Sequence, residues 1–131
     1  MKILIIDRTG FQLQTRKMLV EETLHCTVDT ASTLGEVYIA FQKDMYNVVM
    51  IDHGIENGQA CINHMLSMDS QQPILVVSDA IHCVVRRCKD CVSNHKIRRL
   101  FNPTPIKNIT RMIDGFASYE CDHYDYETDK I

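Results

Sequence analysis

The sequence predicts an α/β domain built on a parallel sheet that is covered on both faces. Short, largely apolar runs recur along the chain and alternate with segments whose apolar residues fall at helical spacing. Most of these runs are continuously hydrophobic instead of alternating, as strands buried on both faces require. The length, 131 residues, fits one ordinary domain with a single core.

The elements follow in order. Lys2–Ile6 ("KILII") is predicted as the first strand. Phe11, Thr15, Met18 and Leu19 then fall at i, i+4, i+7 and i+8 and predict the buried face of a helix. His25–Asp29 is a weaker, short strand. Thr33 and Glu36 have the spacing of a capping box, and Leu34, Val37, Tyr38 and Phe41 continue a helical stripe. Asn47–Ile51 is the third strand, closed by the lone carboxylate Asp52. Gly58 opens a helix with Cys61, Ile62 and Met65 on its inner face, and Pro73–Val77 ("PILVV") is the fourth strand. A helix is predicted around Ile81–Asn94 and a fifth strand at Ile97–Phe101. The last helix begins with Thr104 as N-cap and Pro105 at its first position, with Ile106, Ile109, Ile113 and Phe116 on its apolar face. The pattern stops after Tyr119. Residues 1–118 are read as the domain and 119–131 as a tail, with five acids against one Lys, expected to be exposed or disordered.

Composition narrows the function classes. A net charge of −3 gives no general pull toward nucleic acid or membrane. No apolar run approaches the roughly 20 residues of a membrane span, and "MKILIID" is too short for a signal peptide. A cytoplasmic protein is expected. The six Cys are unevenly spaced in a chain long enough to build its own core, so they are read as mostly free thiols.

Open α/β sheets form their sites at the C-terminal ends of the strands, near the point where strand order reverses. Asp7, Asp52, Ser78 and Asn102 end the first, third, fourth and fifth strands. Each alone suits a turn or a cap. Four at one sheet edge form a candidate constellation.

With those residues in place, the chain from Lys2 to about Phe116 resembles the receiver domain of two-component response regulators. The resemblance rests on "ILIID" (3–7), "YNVVMID" (46–52), "PILVVSDA" (73–80) and "FNPTP" (101–105), in the family's order and spacing. It implies a doubly wound, flavodoxin-like (βα)5 fold with strand order 2-1-3-4-5. It also implies that Asp52 accepts a phosphoryl group from a histidine kinase, with Mg²⁺ held by Asp7 and Asp52 and with Ser78 binding the product phosphoryl group. The domain would be a signalling module acting through protein contacts, not an enzyme. The family's cis peptide bond falls on Asn102–Pro103.

The sequence departs from the family in the pocket. Arg8 stands where the family has a second acid, which is the usual direct Mg²⁺ ligand. Asn102 stands where the family has Lys; it can donate a hydrogen bond but supplies no charge. The loop after Asp52 is shorter than the family's and lacks its customary proline, and the segment between Ser78 and Asn102 is about two residues longer. The expectation is that Arg8 pairs with Asp7 and Asp52, takes the Mg²⁺ position and impairs phosphoryl chemistry.

Other signals compete. Cys83, Cys88, Cys91 and His95 have a spacing that a metal or redox sensor could use. Val84, Cys88, Cys91, Val92 and His95, however, share one helical stripe, which favours buried, metal-free Cys88 and Cys91. The basic cluster Arg86, Arg87, Lys89, Lys96, Arg98 and Arg99 suggests a docking face for an acidic partner or a second copy, formed by the fourth predicted helix, the fifth strand and the last helix. Nucleic acid is disfavoured because aromatic interleaving is missing. A flavodoxin-like nucleotide-binding domain is the alternative of another class, but "DRTGFQ" has a single Gly, too few for a phosphate cradle.

Overall fold

The computed structural model describes residues 1–8, 10–79 and 96–118. Five strands form one parallel sheet: β1 (Lys2–Ile6), β2 (Thr27–Ala31), β3 (Val48–Asp52), β4 (Ile74–Ser78) and β5 (Ile97–Phe101), in the order β2-β1-β3-β4-β5. The order reverses direction at β1, because the chain leaves β1 for β2 on one side and returns to β3 on the other. The crevice this opens lies between the C-terminal ends of β1 and β3.

The helices are α1 (Phe11–Leu24), α2 (Leu34–Ala40), α3 (Gly58–Met68) and the last described helix, α4 (Ile106–Asp114), which runs into a 3₁₀ turn at Gly115–Ser118. The predicted helix around Ile81–Asn94, with Cys83, Cys88, Cys91 and His95, lies outside the described residues, as do Arg86, Arg87, Lys89 and the tail. Among the described residues, no helix is long and apolar enough to cross a membrane.

Side chains alternate across each strand, so the sheet has two core layers. Leu4, Ile6, Val49, Ile51, Ile74 and Val76 meet Val37 and Phe41 near α2 and Cys61, Ile62 and Met65 of α3. Ile3, Ile5, Met50, Leu75 and Val77 meet Leu13 and Val20 of α1, Ile109 and Ile113 of α4, and Phe116. β1 has four fully buried residues and β4 five buried residues in succession, as expected of strands packed on both faces.

Several local expectations need correction. The second strand begins at Thr27, two residues later than predicted, because His25 takes a left-handed conformation (φ 51°) that ends α1. The face of α1 also differs. Phe11 and Met18 are 86% and 50% exposed, and the buried residues are Leu13, Arg16 and Val20. The physical cause is an ion pair made by Arg16, described below. On α2, Thr33 caps the helix as predicted: its hydroxyl accepts from the Glu36 N–H at 3.1 Å, and Glu36 accepts in return from the Ser32 N–H. Tyr38, though, points outward and stands edge-on to His64. The last helix starts one residue late. Pro105 is extended (ψ 147°) and serves as N-cap, its carbonyl accepting from the Asn108 N–H, so Thr104 is not the cap. The inner face of α3 and the apolar face of α4 match the prediction.

The turn from β3 into α3 is tight. Asn57 adopts a left-handed conformation (φ 61°), and a Cβ on Gly58 would meet the His53 carbonyl oxygen at 2.6 Å. That obstacle is backbone and cannot rotate away. Gly58→Ala is expected to destabilise the fold by about 1–3 kcal/mol, read as a lower midpoint in urea denaturation.

Candidate functional site at the C-terminal edge of the sheet

Ladder geometry brings the predicted residues to one edge. The Asp7 N–H donates to Ala31 O at 3.1 Å, which extends β1 by one residue beyond its hydrophobic run. Asp52 is the last residue of β3 and is in register with Val77. Ser78 ends β4, is buried, and is in register with Phe101. The Asn102 N–H donates to Ser78 O at 3.0 Å, and the Asn102–Pro103 bond is cis, as the resemblance implied.

Asp7 is 2% exposed and its carboxylate is fully engaged. Oδ1 accepts from the Arg8 backbone N–H at 2.7 Å. Oδ2 accepts from Gln12 Nε2 at 2.8 Å and from Arg16 Nη1 at 3.1 Å. Gln12 and Arg16 are one turn apart on α1, so both reach the same oxygen. The same Arg16 Nη1 lies 3.9 Å from Asp52 Oδ2. The other Asp52 oxygen accepts from the Gly54 N–H at 2.9 Å, a local turn that aims the carboxylate into the crevice. One guanidinium, with only 10% of its side-chain surface exposed, therefore faces both carboxylates.

This corrects the expected role of Arg8. Asp7 turns inward and the next residue turns outward, so the Arg8 side chain is exposed and donates to Gly54 O at 3.3 Å. It forms no ion pair with Asp7 or Asp52 among the described residues. Arg16 takes that position. Sequence reasoning missed it because an Arg counts as polar when a helix face is sought. The available signal was its i, i+3, i+7 spacing with Leu13 and Val20, one turn after Gln12.

Asn102 is half-buried and lines a groove with Gln12, Arg16, Asp79, Pro103 and Thr104. Of these, Gln12 and Asp79 also went unnoticed as site residues. The Thr104 hydroxyl oxygen is buried there without a hydrogen-bond partner among the described residues.

The donor set does not fit a Mg²⁺ site. Mg²⁺ demands near-octahedral oxygen ligation at about 2.0–2.1 Å. Asp7 Oδ2, Asp52 Oδ2 and Gly54 O each face a guanidinium instead. Among the described residues, no group of three His, Cys, Asp or Glu could hold a metal.

The basic cluster is partly turned inward. Arg99 is 6% exposed and sits over the Phe101 ring, and Arg98 lies over the Phe116 ring with Nη1 3.3 Å from Met112 Sδ. Arg99 is thus withdrawn from the surface, whereas Arg98 is half-buried and Lys96 exposed. Burial raises the Cys61 thiol above its ordinary value, which keeps it protonated and inert within the core.

The fold is that of response-regulator receiver domains. The Francisella response regulator 1452 receiver domain matches 89% of this chain over 96% of its own length, with TM-score 0.71 and 17% identity. A receiver domain protein from Clostridium thermocellum matches 89% of this chain and 94% of its own, with TM-score 0.70 and 18% identity. A CheY-like receiver domain from Methylobacillus flagellatus matches 88% and 97%, with TM-score 0.67 and 18% identity. No family model matches the sequence, and no curated protein matches it. The likeness therefore fixes the flavodoxin-like architecture of order 2-1-3-4-5.

Asp7 is the more deeply buried partner of Arg16 and makes the shorter contact. Asp7→Ala, which strands a buried guanidinium, is expected to cost about 3 kcal/mol. Asp52→Ala should cost less, its oxygen being 3.9 Å away and its side chain more exposed. Urea denaturation of the two variants checks the order.

Proposed function

We propose that this chain is an atypical receiver domain of two-component signalling that acts through protein contacts, with Asp52 in the phosphoacceptor position and Mg²⁺-assisted phosphoryl chemistry impaired. The observation that carries this is the Asp7–Arg16–Asp52 cluster at the crevice of a receiver fold. The carboxylate nucleophile is in place, but a guanidinium faces the oxygen that a phosphoryl group or metal would approach. The Asn102 side chain adds hydrogen-bonding capacity without charge. The domain is an acceptor or relay of signals and not a catalyst. Its partner is a histidine kinase or another signalling protein, and a second copy docked on the β5–α4 side is the homodimer form of the same reading. With Arg99 buried and Arg98 half-buried, the charge of such a face would rest mainly on the exposed Lys96 and on Arg86, Arg87 and Lys89.

A nucleotide-binding role gains no support from the site. The turn after β1 offers Asp7 and Arg8 with a single glycine, Gly10, where a phosphate cradle needs several backbone N–H groups converging.

The test is incubation with acetyl phosphate and Mg²⁺, followed by intact-mass measurement. Labelling is expected to be slow or undetectable. Rapid labelling that disappears in Asp52→Asn would show an ordinary working receiver and overturn the atypical reading.

A further inference from the structure

The oxygens at this sheet edge are held by cations that belong to the chain. Arg16 faces Asp7 Oδ2 at 3.1 Å and Asp52 Oδ2 at 3.9 Å, and Arg8 donates to Gly54 O at 3.3 Å. The remaining two carboxylate oxygens accept the backbone N–H groups of Arg8 and Gly54. One guanidinium thus faces both Asp7 and Asp52, and a second holds a carbonyl beside them.

We infer that Arg16 is a built-in substitute for a divalent cation, a positioning residue that keeps the crevice charge-balanced and insensitive to Mg²⁺. A divalent ion could enter only if the guanidinium withdrew. Withdrawal into the groove that Arg16 lines with Asn102 would break its 3.1 Å pair with the buried Asp7, and the residue rises from the buried face of α1 between Leu13 and Val20. Gln12, exposed on α1, donates to the same Asp7 oxygen at 2.8 Å. Arg8 is secondary: it is exposed and holds a carbonyl, not a carboxylate. The cation facing Asp52 is therefore supplied by α1.

This deepens the signalling reading at its own site but rests on the contacts alone. Acetyl phosphate labelling tests that reading. A metal titration needs neither phosphodonor nor partner, so either can fail by itself.

The experiment is thermal unfolding of the full chain with and without millimolar Mg²⁺, at matched ionic strength, for the unmodified protein, Arg8→Asp and Arg16→Met. The unmodified protein and Arg8→Asp are expected to show no Mg²⁺-dependent shift in Tm. Arg16→Met leaves two carboxylates facing each other. It should unfold at lower temperature without metal and regain on the order of 5 °C when Mg²⁺ binds. A structural strut with no cation-replacing role would lower Tm in Arg16→Met with no Mg²⁺ rescue, and that result overturns the inference. So does a Mg²⁺ shift in the unmodified protein. Arg8→Asp changes an exposed side chain and decides the matter even where Arg16→Met does not fold: tight Mg²⁺ binding by Arg8→Asp would show that Arg8, not Arg16, guards the site.

Discussion

The contact between Arg16 and the buried carboxylate of Asp7 sets the rotation of α1, and much of the structure follows from it. Hydrophobicity alone would roll the helix so that Phe11, Met18 and Leu19 faced the sheet. Burying a large apolar side chain gains about 1.5–3 kcal/mol. Asp7, however, is 2% exposed and follows four fully buried residues of β1, Ile3 to Ile6. Leaving such a carboxylate without a partner costs about 3–5 kcal/mol. The observed rotation satisfies Asp7 twice from α1, through Gln12 and Arg16, and still seats Leu13 and Val20 in the core. Phe11 and Met18 are left in solvent as the consequence. An ion pair of this kind adds little net stability over an apolar substitute, but it defines one orientation of the helix, since every other orientation strands a charge.

The fold was legible because its signals are redundant. Continuous apolar runs mark β1, β3 and β4, helical spacing marks α3 and α4, and Thr33 marks the start of α2 by a mechanism that the structure reproduces. β2 was misplaced by two residues because Thr27–Ala31 is an edge strand with few apolar residues, and His25 and Cys26 gave no sign that they finish a helix. The start of α4 was misread for a related reason. Two prolines flank Thr104, and which of the adjacent residues turns helical depends on the ψ of Pro105, which sequence pattern does not specify.

The candidate site was legible in its anions and not in its cations. Asp7, Asp52, Ser78 and Asn102 end strands, and strand ends are easy to locate. A cation reaches them on a long, flexible side chain from another element, so sequence adjacency misleads. Arg8 adjoins Asp7 in sequence yet points away from it, because successive residues of an extended chain point to opposite sides. Arg16 is nine residues on and reaches the carboxylate, because the first turns of α1 fold back over the crevice. The correct assignment needed the rotation of α1, which is itself a product of the pairing.

On the proposed signalling role, the consequence reaches beyond packing. A crevice that recruits its cation from solvent has at least two electrostatic states, and a domain can transmit a signal by moving between them. A crevice whose cation is covalently part of α1 has its balance fixed when the chain folds. Asp52 touches Arg16 at 3.9 Å, and Arg16 rises from the face of α1 whose Leu13 and Val20 share a cluster with Ile109 and Ile113 of α4. The groove that continues from Arg16 past Asn102 and Thr104 lies along this α1–α4 contact. On the proposed signalling role, displacing the guanidinium from Asp52 would bear first on the seating of α1 against α4.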